Sequence, residues 1–529
     1  RNNRPIGAPP LMPTYADAVS ELPVIEFEVD GQQVQVPDDG SSLLGTLRDQ
    51  LGKRSAKDGC APQGQCGCCT VLIDGQPRVA CVTPTRRLKG RSITTLEGFS
   101  EAERARWGNA FCANGASQCG FCTPGIIVRL AGLEEKKPDA GEEDVRRALA
   151  AHLCRCTGWQ TIVDAWDRRD GDTAADRDFD SAARRAEIEG RNPQLVSAAV
   201  ALGDGGFADD RAPADALVAV LNADGEWILG ESLHEARTLA QKVQGRRTTL
   251  EHRHPVELPA GEWAATLQTS WVDPAYLETD AAWAMPGEKA ASPLANGGAF
   301  GAKLESMVTE AAERLATEHD RPVRVLLSRE DSIRLGAKRP PVSGGAAADG
   351  TGMLRVVATP GIEDVIAAVA PGLRVEQVAI PTELTTSAAI RGAGMVEAAA
   401  LVALARGQAE RVSLADGGWA EATVTDDRIA VRVGAGEMLD EIVLRSYCIG
   451  AAHMGYSLVM GEALTVDTDG IAQDLTVRSF GIVKATDTPT IEIEIVDQSG
   501  PAVNASDAVF AVVAAATAVH HNATTWPHR

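Results

Sequence analysis

"GCAPQGQCGCCTVLIDGQPRVAC", Gly59 to Cys81, holds five of the chain's 11 cysteines. Its second half alternates apolar and polar residues around Asp74-Gly75, the pattern of a β-hairpin that carries Cys81 back toward the cysteine loop. Upstream, "VIEFEVDGQQVQV" repeats the pattern around Asp30-Gly31. Between them "SSLLGTLRDQL" places Leu43, Leu44, Leu47 and Leu51 on one helical face behind a serine cap. Glycines at 59, 64 and 67 let the loop fold tightly, with backbone N–H groups free to point at sulfur.

Composition limits what the sulfur is for. With 529 residues, 44% hydrophobic and 23% charged, the chain can build several domains with real cores and needs no disulfide staples. The opening "RNNRPIGAPPLMP" has no apolar run of signal-peptide length, and "FAVVAAATAV" at 510–519 is too short to span a bilayer. A cytoplasmic location, where thiols stay reduced, is the expectation. A net charge of -22 argues against nucleic acid as a partner, because phosphates are held by Lys and Arg.

Ten of the 11 cysteines lie between Cys60 and Cys156 and form two groups. Cys60, Cys66, Cys69 and Cys81 follow C-x5-C-x2-C with a distant fourth member, close to the plant-type ferredoxin pattern whose first gap is x4. Strand pair, helix, cysteine loop and strand pair is a β-grasp order. The second group is Cys119 and Cys122 in "QCGFCTPGIIVRL", with Cys154 and Cys156 in "HLCRCTGWQTIVDAW". Each pair precedes an expected helix, with Thr123 as cap and Pro124 at the first position of one, and Thr157-Gly158 before the other. Helix N-termini stabilise thiolates. Structural zinc stays open for the second group alone, but it does not account for the first loop. Cys68 and Cys112 read as small buried hydrophobes. Together the two sets point to two [2Fe–2S] clusters.

On these residues, the segment from about 22 to 168 resembles the iron–sulfur portion of the molybdenum hydroxylase family, which includes xanthine dehydrogenase and aldehyde oxidase. "QCGFCTPG" and "LCRCTG" are similar to its second-cluster signature and "GQCGCCTVLIDG" to its first. The resemblance implies that Gln118 and Cys156 approach the pterin of a molybdopterin cofactor. It continues at lower specificity through "WVDPAYLETDAAWA", "NGGAFGAKLES", "IRGAG" and the tail from "CIGAAHMGYSLVMGEALTVDTDG" to "DTPTIEIEIV". There it implies that the loop from Gly297 to Gly301 sets backbone N–H groups, including those of Phe300 and Gly301, against the metal, with Arg391 beside metal and substrate.

Departures accompany the matches. The second region is roughly half the family's usual length. The family's glutamate falls on Ser506 in "GPAVNASDAVFA", leaving Asp507 as the candidate proton acceptor. Two other motifs fail: "HEART" at His234 has Thr238 where a second zinc-binding histidine is required, and "GAGEML" at Gly434 lacks the third glycine of a dinucleotide loop. His252, His254, His520 and His521 have no carboxylate or cysteine at ligand spacing and read as surface residues.

The expected fold class is therefore α+β and multidomain. An N-terminal extension (1–21) precedes a β-grasp ferredoxin-like domain (22–97) and a helical [2Fe–2S]-binding domain (98–168). A charged, exposed linker (169–213) then leads to a shortened α/β molybdopterin-binding-like region (214–529). The expected function is electron transfer from a molybdopterin site through two [2Fe–2S] clusters to a flavin or other acceptor. FAD is expected on a partner subunit, and the substrate is a small aldehyde or N-heterocycle. The alternative is a non-catalytic electron-transfer scaffold that docks a separate molybdopterin-binding subunit.

Overall fold

The computed structural model describes residues 22–171, 177–242, 245, 247–291, 298–303, 306–497 and 499–528. The expected N-terminal extension and Gly297 lie outside the described residues. Strands β1 (Val24–Val29) and β2 (Gln32–Pro37) pair antiparallel with Val29 opposite Gln32. Asp30 and Gly31 turn the hairpin with φ of 51° and 77°, the doubly positive geometry that matches the twist of the flanking strands. β3 (Thr70–Ile73) and β4 (Gln76–Val79) repeat this around Asp74 and Gly75. β5 (Ser92–Thr94) enters between β1 and β3, giving the order β2-β1-β5-β3-β4. Its core joins Phe27, Val29, Val71 and Ile93 to Leu43, Leu44 and Leu47 of the short helical turns between β2 and β3.

Four helices follow: α1 (Glu101–Ala113), α2 (Thr123–Lys136), α3 (Glu142–Leu149) and α4 (Gln160–Asp167). Ser100 and Glu103 form a capping box that satisfies orphan N–H groups at the start of α1. Trp107 packs on Phe111 and Trp166 with ring centroids 6.2 and 6.1 Å apart, tying α1 to α4. Helix α2 lies against β3, and Gly132 allows the approach: a Cβ there would come within 2.5 Å of the Pro77 ring.

The stretch expected as an exposed linker contains helix α5 (Phe179–Gly190). One face of α5 is fully buried, including Arg185 and Glu189, which pair at 3.1 Å. The charge density misleads because the Arg185 guanidinium is satisfied by the backbone, donating to Met438 O at 3.0 Å and Val503 O at 2.9 Å. Such long-range acceptors make a buried arginine tolerable.

Among the described residues the remaining strands form three sheets. The first has the order β7-β6-β10-β9, from β6 (Leu217–Leu221), β7 (Trp227–Gly230), β9 (Ala281–Ala284) and β10 (Val323–Leu326). Helices α6 (Leu233–Leu239) and α7 (Met307–His319) pack on it. The second, β13-β12-β11-β8-β18, is built from β8 (Ala265–Thr269), β11 (Val342–Ala346), β12 (Gly352–Val357), β13 (Leu373–Val378) and β18 (Thr525–Trp526). The third, β14-β15-β16-β17, comprises β14 (Val412–Ser413), β15 (Trp419–Val424), β16 (Arg428–Gly434) and β17 (Thr490–Ile495). Three helices form the core of this region: α8 (Met395–Arg406), α9 (Glu441–Met460) and α10 (Ser506–His521). The apolar run at 510–519 belongs to α10 and is buried on almost every side, as an all-round apolar helix must be. Among the described residues no helix is long and apolar enough to cross a membrane.

Candidate metal centres

The first four cysteines converge in the loop between the short helical turns and β3, with Cys81 returned by the β3–β4 hairpin as its spacing predicts. Cys60, Cys66, Cys69 and Cys81 are all buried and free. Hydrogen bonds link Cys60 to Cys66 and Cys81, and Cys81 to Cys69, so the four sulfurs share one locus. Backbone N–H groups point at them: Gln63 N donates to Cys60 Sγ at 3.1 Å, and Cys81 N donates to Cys69 Sγ at 3.4 Å. Sulfur bonds from its neighbours hold the Cys60 thiol well below its ordinary value. Gly59 leaves room for this, since a Cβ there would sit 3.0 Å from the sulfurs of both Cys66 and Cys68.

The second set is a pair of pairs, one at the start of α2, where Cys122 is the cap residue, and one in the turn ahead of α4, whose cap residue is Trp159. Cys156 Sγ lies 3.6 Å from Cys119 Sγ, and Cys122 is hydrogen-bonded to Cys154. The Cys122 bond, aided by the Thr157 hydroxyl 3.0 Å away, pulls the Cys154 thiol down to about 6. The capping expectation needs correcting. Cys122 itself is the cap residue of α2, while Thr123 is buried and donates to Ser117 Oγ at 3.2 Å. Thr157 serves the sulfur of Cys154 rather than a helix end.

The two sets abut. Leu153 N donates to Cys66 O at 3.0 Å, and His152 fills the space over Gly67. A Cβ at Gly125, in the first turn of α2, would fall 2.3 Å from Gly67 O, so only glycine lets that helix meet the first loop. Each set offers four buried sulfurs, with N–H or O–H donors aimed at them. That donor set fits an iron–sulfur cluster.

Beyond the second set, the family's molybdenum landmarks come together but are tightly closed. Gln118 donates to Cys156 O and Ser446 Oγ, both at 3.0 Å, while its Oε1 is buried without a partner among the described residues. A Cβ at Gly298 would lie 2.8 Å from Cys156 Sγ, and one at Gly301 only 2.1 Å from Ala389 O. Phe300 O accepts from Arg391 N at 3.0 Å, and the Arg391 guanidinium lies 4.7 Å from the Phe300 ring centroid. Arg391 also donates to Asp507 Oδ1 at 2.8 Å and to Ser506 Oγ. The other oxygen of Asp507 is held by Arg191, the residue after α5. Both Asp507 oxygens are thus engaged by guanidinium groups. Glu189 Oε2 accepts from Ala505 N at 3.2 Å and Ser506 N at 2.9 Å, capping α10 from outside.

The cavity among Gly298, Phe300, Arg391, Met454 and Phe510 measures about 20 Å3. That is room for about one water, against several hundred Å3 for a typical ligand pocket. Arg155 and Glu462, paired at 2.6 Å and buried, close another side. Orphaned Gln118 suits a hydrogen-bonding ligand edge, but a molybdopterin does not fit the described residues as they pack. A larger cavity of about 250 Å3 borders the first set and is lined by Cys81, Pro62, Phe121, Arg48 and Glu278. Burial pushes the Glu278 carboxyl up to about 7 despite Lys303 at 2.8 Å.

Sequence reasoning did not find Glu189, Arg191, Arg155 or Glu462. Arg191, Arg155 and Glu462 meet their charged partners from distant parts of the chain, and Glu189, beyond its i, i+4 pair with Arg185, holds Ala505 N and Ser506 N from far along it.

A family model described as a [2Fe-2S] binding domain matches residues 95–167. The chain is 42% identical over 151 residues to the xanthine dehydrogenase iron-sulfur-binding subunit of Escherichia coli O157:H7, covering 27% of this chain and 92% of that one. It is 43% identical over 142 residues to the aldehyde oxidoreductase of Megalodesulfovibrio gigas, covering 26% of this chain and only 16% of that relative's length. In fold it is similar to the aldehyde oxidoreductase from Desulfovibrio desulfuricans, with a TM-score of 0.68 at 15% identity over 94% of this chain and 97% of the other. Since it covers nearly all of a xanthine dehydrogenase iron-sulfur-binding subunit at 42% identity, the chain belongs to the molybdenum hydroxylase family of oxidoreductases.

Proposed function

We propose that the chain is the electron-conducting part of a molybdenum hydroxylase. Cys119, Cys122, Cys154 and Cys156 hold one [2Fe–2S] cluster, and Cys60, Cys66, Cys69 and Cys81 hold the other. Reducing equivalents from oxidation of a small aldehyde or N-heterocycle at a molybdopterin centre enter at the second set. They leave from the first toward an acceptor, an FAD on a partner subunit. The observation that carries this reading is the direct packing of the two sets, through Leu153 N on Cys66 O and Gly125 on Gly67 O. Cys156 lies against Gly298 of the molybdenum-like region, and Cys81 lines a separate cavity.

A second reading is favoured by the 20 Å3 cavity at Arg391 and Phe300. In it the C-terminal region is a scaffold, and the molybdopterin sits on a separate subunit. Metal analysis of the chain expressed alone and of the native assembly separates the two. The second reading expects about four irons and no molybdenum in the isolated chain, with molybdenum appearing only in the assembly. Molybdenum stoichiometric with the isolated chain contradicts it. Far fewer irons under anaerobic preparation contradict the conduit itself.

A further inference from the structure

The turn between β15 and β16 meets the C-terminal end of α10. Asp426 Oδ1 lies 2.8 Å from His520 Nε2, with the aspartate side chain 90% exposed and the histidine 32%. The His521 ring stands edge-on to that of His520, centroids 4.6 Å apart. One ligand-type atom from each of Asp426, His520 and His521 lies within 4.8 Å of the other two. The supports are firm. Asn522, at φ 49°, stops the helix, Trp526 is buried where β18 pairs with β8, and His528 N donates to Val459 O at 2.7 Å.

An ion pair at a helix C-terminus accounts for His520 and Asp426, since the helix dipole favours a cation there. It does not account for His521. Nε2 of His521 is buried and has no hydrogen-bond partner among the described residues. A metal ion employs all three groups at once. Two imidazole nitrogens and one carboxylate oxygen suit a borderline transition ion, whereas Ca2+ and Mg2+ prefer all-oxygen sites. Coordination also needs neutral imidazole.

We propose that Asp426, His520 and His521 form a binding site for a divalent transition ion of the Zn2+ class, with a fourth position open to water or an added ligand. Binding replaces the proton shared by His520 and Asp426, which moves to solvent, and spreads those two atoms from 2.8 Å to about 3.3 Å for tetrahedral coordination.

The test is equilibrium dialysis of Zn2+ against the iron-loaded protein, with zinc and iron counted per chain. The expected result is one Zn2+ beyond the iron, retained in the control variant His319→Ala on α7. Affinity should fall by about tenfold or more in His521→Ala and in Asp426→Ala, as expected for a lost ligand. Asp426 is too exposed for its loss to disturb folding, and unchanged iron content checks this for both variants. Absence of bound zinc overturns the proposal, as does zinc that persists at the same affinity in both variants, which places it on cysteine sulfur instead.

Discussion

Replacing Cys156 with alanine is expected to remove about half the iron and one of two reduced-cluster signals, while leaving the other signal intact. Cys156 is the partner of Cys119 at 3.6 Å, and Cys122 pairs with Cys154, so the change leaves the second set with three sulfurs and one half-empty pair. A [2Fe–2S] cluster needs four ligands, and water is a poor substitute in a buried site. The first set has its own donors, from Gln63 N, Gln65 N and Cys81 N, and does not draw on Cys156. Iron per chain and electron paramagnetic resonance of the dithionite-reduced variant read the outcome. Retention of all the iron, or loss of both signals together, would show that the two groups do not form independent centres.

The second large effect concerns Asp507. Its removal in Asp507→Ala leaves the Arg391 guanidinium, 2% exposed at the side chain, without its carboxylate in the core of the C-terminal region. Breaking a buried pair from one side costs about 3–5 kcal/mol, and chemical denaturation of the variant should show a loss of that order. The double variant Arg391→Met/Asp507→Leu should recover most of it, because two apolar side chains leave no uncompensated charge. Arg191 is half exposed and can turn to solvent, so it does not spoil the recovery. A general base would behave differently: Asp507→Ala would lower turnover of the assembled enzyme with little change in stability. The double ion pair is the reason to expect the first pattern.

The iron–sulfur half was legible because its signals are local. Asp30-Gly31 and Asp74-Gly75 dictate tight hairpins, and cysteine spacing puts sulfurs on one loop or at one helix start regardless of the rest of the chain. Even there Cys122 took the cap position assigned to Thr123, because a small buried hydroxyl found a partner in Ser117. Less was legible in the charged stretch before residue 193, where helix α5 packs against the C-terminal region. Arg185 and Glu189 look like solvated residues until Met438, Val503 and the backbone of Ala505 and Ser506 arrive from far along the chain. His520 and His521 show no carboxylate at ligand spacing, because theirs, Asp426, stands 94 residues before His520. Periodicity and short motifs report what lies within a few turns of chain. They carry no record of a buried ion pair or a surface cluster closed by the tertiary fold.

The account rests on two distinct [2Fe–2S] clusters in this one chain, and a reductive titration followed by electron paramagnetic resonance tests it most directly. The prediction is two signals with different g-values that appear at separate potentials, each integrating to about one spin per chain, because the two sets carry different hydrogen bonds to sulfur. A single signal, or zinc in place of iron at Cys119, Cys122, Cys154 and Cys156, would contradict it.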